Sequence, residues 1–337
     1  MKQRVLYLDI IRIVACVMII AMHAPIPNTG ISSYVLSADS LLTIPGIGLF
    51  LMVSGALLLP VNMPTNIFLK KRLTKIVIPT LLWTLFYMLV YSLQNGFNGQ
   101  EVLQKMMSVP FSAQYNGVLW FMYMLTGLYL IAPILSRWIG QVNKRELEFY
   151  LLLWGVTLMY PLIRCYIGVN ESHTGILYYV GGYAGYFLLG FYLRNYKKAK
   201  AWKCLVLMAI PVIIATTIKL SGVSIDFYDL FGYLSVLVVM MSIAWFMLFK
   251  ELTSSYKDNS RYHRILVRVS NCCFGIYLIH IFVMRSLLWR WSLLQETNGI
   301  VQILLTTVLT FMVSLFVTWI ISYMPFAQYI IGYKNKK

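Results

Sequence analysis

Residues 5–26 read VLYLDIIRIVACVMIIAMHAPI, an apolar stretch that is interrupted by Asp9, Arg12 and His23. About 20 apolar residues in an α-helix, each rising about 1.5 Å, span the roughly 30 Å of hydrocarbon in a bilayer. No small-residue cleavage site follows the stretch. It therefore predicts a retained first transmembrane helix and not a signal peptide.

The rest of the chain has the same apolar character. Of its 337 residues, 60% are hydrophobic and 12% are charged, and the mean hydropathy is +0.73. In a typical soluble domain about 45–50% of the residues are hydrophobic and about 25% are charged. The composition therefore excludes a soluble globular protein. We predict an all-α polytopic membrane protein with about ten transmembrane helices in one bundle. The predicted helices lie at about 5–26, 41–60, 75–94, 118–138, 147–167, 176–195, 203–221, 229–250, 271–291 and 299–322.

The charge distribution predicts the topology. The chain carries 28 Lys and Arg against 11 Asp and Glu, a formal net charge of +17. With ten spans, most of the basic residues fall on one side of the membrane, which the positive-inside rule makes cytoplasmic, together with both termini. Their clustering between apolar runs argues against a nucleic-acid partner. We predict one integral-membrane domain over 1–337, with a core at about 5–322 and a short basic cytoplasmic tail at 323–337.

Several catalytic signatures are absent from the sequence. The five cysteines include no C-x-x-C pair, so we predict neither a metal site nor a disulfide framework. The chain has no G-x-S-x-G, no H-E-x-x-H and no Walker loop, which disfavours a serine hydrolase, a zinc protease and an ATP-driven pump. Chemistry therefore has to come from polar residues inside the spans, which are costly unless they are paired or face a cavity.

The first helix concentrates such residues. At about 100° per residue, the eleven-residue step from Arg12 to His23 ends about 20° beyond three turns, so both lie on one face, about 16 Å apart along the axis. Two interpretations remain open. Asp9 and Arg12 pair to anchor the helix end while His23 is interfacial, or the face is the polar wall of a channel or active site with His23 as a general base.

A basic cluster follows the second predicted helix. Its cations, in what we predict to be a cytoplasmic turn before the helix at 75–94, are Lys70, Lys71, Arg72 and Lys75. Either these cations only set the orientation of the chain in the membrane, or they bind the phosphates of a nucleotide-bearing donor such as a coenzyme A thioester. Lipid headgroups would use the same charges.

A second histidine lies inside the ninth predicted helix. His280 ends the segment GIYLIH at residues 275–280. It is either a buried histidine that bonds to a neighbouring hydroxyl, or part of a site. Arg285, one to two turns further, is expected to need a carboxylate or carbonyl partner.

Six segments, in order, resemble the integral-membrane acyltransferase-3 family. The most specific is Arg12 followed by ten residues and His23, which is similar to the family's Arg-x10-His signature in the first helix. The others are FLMVSG at 50–55, the basic run through Arg72, LWFMY at 119–123 with Pro133, YFLLG at 186–190 and GIYLIH at 275–280. The resemblance covers about residues 5–322.

The resemblance implies a bacterial inner-membrane enzyme that moves an acetyl, or a similar short acyl group, from cytoplasmic acyl-CoA to a hydroxyl of a surface glycan or its lipid-linked precursor. Acetyl-CoA is then a donor substrate and not a permanently bound cofactor. His23 is the catalytic base or a transient acyl carrier, Arg12 supports the polar path, and His280 joins them. Donor binding is assigned to the four basic residues Lys70, Lys71, Arg72 and Lys75.

Other features of the chain leave choices open. For a carboxylate expected late in the chain, Glu296 is the nearest candidate, while Asp9 is the only acid well inside a span. The predicted partners are acyl-CoA, the glycan or lipid-linked sugar acceptor and membrane lipids, and no pattern specifies an oligomeric state. The competing function is a transporter or flippase of glycans or lipid-linked sugars, in which a polar helix face lines a pathway and no bond is made.

Overall fold

The computed structural model describes residues 5–96, 99–113, 117–167, 178–222, 230–254 and 261–335. These residues form helices and connecting turns, without a β-strand. The α-helices are α1 (Leu6–His23), α2 (Ser33–Thr43), α3 (Pro45–Leu58), α4 (Thr65–Asn95), α5 (Gly99–Ser108), α6 (Trp120–Ile139), α7 (Lys144–Thr157), α8 (Tyr160–Ile167), α9 (Ala184–Tyr196), α10 (Ala201–Leu220), α11 (Val236–Leu252), α12 (Arg261–Val283), α13 (Ser292–Gln295), α14 (Gly299–Ile321) and α15 (Ala327–Ile331). A 3₁₀ turn covers Gly117–Leu119, and a π-helical turn, Met284–Leu288, continues α12.

Eight helical segments of the described residues are long and apolar enough to cross a membrane. They are Leu6–His23, Ser33–Leu58, Thr65–Gln94, Trp120–Ile139, Lys144–Arg164, Ala201–Leu220, His263–Leu288 and Gly299–Ile321. The predicted spans at 176–195 and 229–250 correspond to α9 and α11, which have 13 and 17 helical residues. The prediction of an all-helical membrane protein is confirmed, while the count of ten and the side of the termini stay predictions.

Side-chain caps fix where several helices begin. Ser32 accepts a hydrogen bond from the backbone N–H of Tyr34 before α2, and Asn143 accepts one from Glu146 before α7. Asn298 does the same for Ile300 at the start of α14. Each cap satisfies one of the backbone donors that a helix N-terminus leaves without a partner.

The chain divides into two compact units. The first comprises Met1–Met22, Ile31–Pro60 and Ile134–Ser270. The second comprises His23–Gly30, Val61–Pro133 and Asn271–Lys337.

In the first unit, α3 and α9 cross at a distance that only glycine permits. A Cβ atom on Gly55 would lie 1.8 Å from the carbonyl oxygen of Phe187, and one on Gly190 would lie 1.9 Å from that of Met52. Two of the family-like segments, FLMVSG at 50–55 and YFLLG at 186–190, are thus the two sides of one helix contact. Their glycines have a packing role.

In the second unit, the end of the chain folds back on α4. The indole Nε1 of Trp83 donates a hydrogen bond to the carbonyl oxygen of Ile330 at 2.9 Å, and Ala327 and Ile331 of α15 are fully buried. Gly332 ends α15 with φ +66°, where a Cβ would lie 2.8 Å from the carbonyl oxygen of Lys75. The segment predicted as a tail at 323–337 therefore includes a packed helix.

Candidate active site

A pair of histidines forms the centre of the candidate site. His23 is the last residue of α1, His280 lies on α12, and the centroids of their rings are 5.8 Å apart with an interplanar angle of 37°. His23 is partly exposed, whereas His280 is completely buried. One imidazole is therefore open to a reactant, and the other lies behind it.

The hydrogen bond of His280 determines its tautomer. Its Nδ1 lies 2.6 Å from the carbonyl oxygen of Tyr277. Because a carbonyl only accepts, Nδ1 carries the proton, and in the neutral ring Nε2 holds the lone pair. This Nε2 is buried without a hydrogen-bond partner among the described residues. If His280 were only structural, we expected it to bond to a neighbouring hydroxyl. Its partner is instead the backbone carbonyl of Tyr277.

The motif residues around the pair support it by packing. The ring of Tyr277 lies 5.4 Å from that of His280 and 5.6 Å from that of Phe121, which belongs to the segment LWFMY. A Cβ on Gly275 would lie 2.5 Å from Cγ2 of Thr318, so this glycine lets α12 and α14 approach closely. The segment GIYLIH thus supplies a close contact, a packed aromatic ring and a histidine.

Gln302 was missed by sequence reasoning. Its buried amide accepts from the backbone N–H of Ile26 at 3.4 Å and from the hydroxyl of Thr29 at 3.3 Å. It donates to the carbonyl oxygen of Leu294 at 3.0 Å. Gln302 therefore connects the loop that follows His23 to the helix α14. In the sequence, the only indication of this role is that Gln302 is an amide within an apolar run.

Arg12 belongs to a buried cluster in the first unit. The predicted ion pair with Asp9 is confirmed, with Nη1 3.5 Å from Oδ1. Arg12 also donates to the hydroxyl of Ser270 at 3.0 Å, and this hydroxyl donates to Asp9 at 2.6 Å. The Arg12 side chain keeps a quarter of its surface exposed, whereas the Asp9 side chain is 5% exposed. The cluster anchors Arg12 while leaving it accessible.

Replacing Ser270 by Ala should lower the stability of the folded protein by about 1–3 kcal/mol, because the buried Asp9 carboxylate loses a hydrogen-bond donor. Thermal unfolding in detergent measures this. Ser314→Ala is the matched control, since Ser314 is also fully buried but its hydroxyl has no hydrogen-bond partner in the described ranges. A Ser270→Ala protein as stable as the Ser314→Ala protein would contradict the prediction.

The basic cluster lies on a helix and not in a turn, which corrects the prediction. Helix α4 begins at Thr65, so the four cations occupy its first three turns. Lys70, Lys71 and Lys75 are exposed. Arg72 faces inward, on the same stripe as the buried Phe68 and Ile76, because residues four apart share a helix face.

Arg72 differs from the lysines in its contacts. Its guanidinium carbon lies 6.0 Å from the centroid of the Phe68 ring. Its Nε is buried and has no hydrogen-bond partner among the residues that the structure describes. Of the four predicted donor-binding residues, Arg72 is the one whose side chain is partly buried, over the ring of Phe68.

Neither Glu296 nor Arg285 behaves as expected. Glu296 is the exposed C-cap residue of α13, and no described hydrogen bond or ion pair joins it to either histidine. The guanidinium carbon of Arg285 lies 5.4 Å from the centroid of the Trp289 ring, and the described ion pairs do not include Arg285. Arg285 therefore stacks on an aromatic ring instead of pairing with the expected carboxylate.

Within the described ranges, no three His, Cys, Asp or Glu side chains converge on a metal-binding arrangement.

Comparison with known proteins identifies a family. The model of the acyltransferase-3 family, described as an acyltransferase domain, matches residues 5–323. The match contains all four residues of the histidine pair and the Asp9–Arg12 pair. Neither the curated proteins nor the solved structures give a significant match.

Proposed function

Because the chain belongs to the acyltransferase-3 family, we propose that it moves a short acyl group, acetyl first among them, from cytoplasmic acyl-CoA to a hydroxyl of a surface polysaccharide or its lipid-linked precursor. The proposed location is the bacterial inner membrane, with both termini in the cytoplasm. The eight apolar helical segments and the basic residues on one predicted side support this location.

The observation that carries the proposal is the pair of rings 5.8 Å apart, one partly exposed and one buried with its lone pair on Nε2. A neutral imidazole is a general base near neutral pH. The second imidazole packs against it and holds a buried Nε2 lone pair without a described partner, which supports a role in positioning the first ring. A pathway for a transported glycan has no need of such a pair.

In the proposed reaction, His23 removes the proton from the acceptor hydroxyl, and the oxygen attacks the thioester carbonyl carbon. The new C–O bond forms, the C–S bond breaks, and the coenzyme A thiolate takes the proton from His23. The products are the ester and free coenzyme A. Alternatively, the unprotonated ring nitrogen of His23 attacks the thioester carbonyl first, the C–S bond breaks, and the coenzyme A thiolate takes the proton from the other ring nitrogen. The acceptor hydroxyl then attacks the acyl-imidazole, the N–C bond breaks, and the hydroxyl proton returns to the ring.

On the donor side, we propose that Arg72 binds a phosphate of the acyl-CoA, assisted by Lys70, Lys71 and Lys75. A guanidinium fits a phosphate with two parallel hydrogen bonds, whereas a lysine acts as a point charge. The inward position of Arg72, over Phe68, supports this role. For Arg12, also proposed as a functional residue, the partly exposed side chain is the supporting observation.

Replacing Arg72 by Ala should raise the KM for acetyl-CoA by about 10–100-fold with a smaller effect on kcat, because a charge-assisted hydrogen bond is worth about 1.5–3 kcal/mol. Lys203→Ala is the matched control, a cation 5.5 Å from the ring of Trp202 on the same predicted side. An unchanged KM for Arg72→Ala would remove the residue from the donor site.

The proposed function is tested with the purified protein in nanodiscs, given labelled acetyl-CoA and cell-envelope glycan. Thiol release and label in the glycan are followed together, with empty nanodiscs as the control. We expect one thiol released for each acetyl group transferred. No turnover with any acyl-CoA, together with glycan movement across proteoliposome membranes, would favour the transporter instead.

A further inference from the structure

A cavity of about 400 Å³ lies in the second unit, at the end of α4. It is lined by the last turns of α4, by Lys105 of α5, and by Gly117, Ile281, Phe282, Arg285 and Ser286. Pockets for small molecules have volumes of about 300–1,000 Å³, so the cavity is large enough for a ligand. Its lining mixes apolar side chains with the hydroxyls of Tyr87, Tyr91 and Ser92.

Tyr87 makes one wall of this cavity rigid. Its hydroxyl donates to the carbonyl oxygen of Leu278 at 2.8 Å and accepts from the N–H of Phe282 at 3.2 Å. In an uninterrupted α-helix these two backbone groups would bond to each other. The π-helical turn follows directly, closed by the N–H of Trp289 on the carbonyl oxygen of Met284 at 2.9 Å. Such turns are frequent at functional sites.

The π-helical turn presents a cation to the cavity. Arg285 is exposed, lines the cavity, and forms no ion pair with a carboxylate in the part of the chain that the structure describes. A charged side chain inside a membrane span is costly unless it faces a water-filled space or a counter-ion. Arg285 therefore has the properties of a residue that meets its counter-ion on a ligand.

A second cation lines the same cavity. The Nζ atom of Lys105 lies 5.4 Å from the centroid of the Tyr91 ring. The described lining residues thus include two cations and no carboxylate. The rings of Tyr87 and Tyr91 add aromatic surface of the kind that packs against the apolar faces of sugars.

Part of the cavity lining lies close to the histidine pair along the chain. Ile281 and Phe282 of its lining directly follow His280 in the chain. Arg285 interacts electrostatically with both His23 and His280. Arg285 is therefore near the histidine pair as well as the cavity, while neither imidazole is among the described lining residues.

Resting on the proposed function, we propose that this cavity binds the acceptor, and that the acceptor is an anionic glycan whose carboxylate or phosphate group is bound by Arg285 and Lys105. The guanidinium offers a bidentate contact to either anion, and the lysine a point charge. The reacting hydroxyl then belongs to the part of the sugar that faces His23.

Binding is measured separately from transfer, with the full-length protein in nanodiscs of zwitterionic lipid. Three probes are compared: a glucuronate-containing tetrasaccharide, the same tetrasaccharide with its carboxyls reduced, and the reduced tetrasaccharide bearing a phosphate. The variants are Arg285→Gln and Lys105→Gln. Lys219→Gln is the control, a cation 5.2 Å from the ring of Tyr34 in the other unit. Lys105→Gln keeps the test decisive if Arg285→Gln does not fold.

We expect at least one anionic probe to bind at least about tenfold more tightly than the reduced probe, and each variant to lose most of that difference. The two anionic probes distinguish a carboxylate from a phosphate. Equal binding of all three probes, no binding of either anionic probe, or displacement of the bound probe by acetyl-CoA would overturn the proposal. Failure of the proposed function is distinguishable, because it shows as absent thiol release in the transfer assay.

Discussion

His23→Ala is expected to lose acyl transfer, with kcat lower by about 10²–10⁴-fold, the usual contribution of a general base. If His23 carries the acyl group covalently, the loss is larger still, because the variant lacks the nucleophile itself. Thiol release and label transfer from acetyl-CoA measure the change. Since His23 is partly exposed, the variant should fold normally.

The control for this result is His263→Ala, which removes a histidine from the other end of the same helix that carries His280. It should keep wild-type turnover. A second measurement separates the two chemical routes: labelled acetyl-CoA without acceptor leaves label on the wild type, and not on His23→Ala, only if an acyl-imidazole forms. Undiminished transfer by a folded His23→Ala protein would refute the assignment of the base.

Gly190→Ala is expected to prevent folding, at a cost above about 4 kcal/mol. The added methyl would lie 1.9 Å from the carbonyl oxygen of Met52, and a backbone atom in a helix crossing cannot move aside as a flexible side chain can. The yield of monodisperse protein in detergent and its thermal unfolding measure this. Gly55→Ala, on the opposite helix, should give the same result.

Two other helical glycines serve as controls, because a methyl group added to Gly127 or Gly155 meets nothing within 4 Å. Alanine is the better helix former by about 1 kcal/mol, so these variants should be as stable as the wild type or more stable. If Gly190→Ala folds as well as Gly127→Ala, the close crossing of α3 and α9 does not stabilise the protein.

The membrane class and most helices were predictable because hydrophobicity is a local signal with a known length. The start of α4 was not, since the run from Lys70 to Lys75 is polar enough to read as a turn. What holds it helical is packing: Phe68 and Ile76 are buried on its inner face. The ends of the shorter helices α9 and α11 likewise depend on packing against neighbouring helices. The sequence shows only the apolar residues at their centres.

In the site, sequence spacing predicts the Asp9–Arg12 ion pair because its two residues are three apart on one helix. The approach of His23 to His280 joins residues 257 positions apart, which helix periodicity cannot predict. For the same reason Ser270 and Gln302 went unassigned. The resemblance implies a functional role for His280, and only the fold shows which of its nitrogens is the acceptor.

The π-helical turn at Met284–Leu288 also bears on how such proteins diverge. A π-turn amounts to one residue inserted into an α-helix, so deleting one residue there would rotate everything beyond it by about 100°. The turns before Val283, which hold His280, would keep their bonds. Evolution can therefore change which side chain stands at position 285, at the proposed acceptor cavity, by single insertions and deletions that leave the two histidines in register.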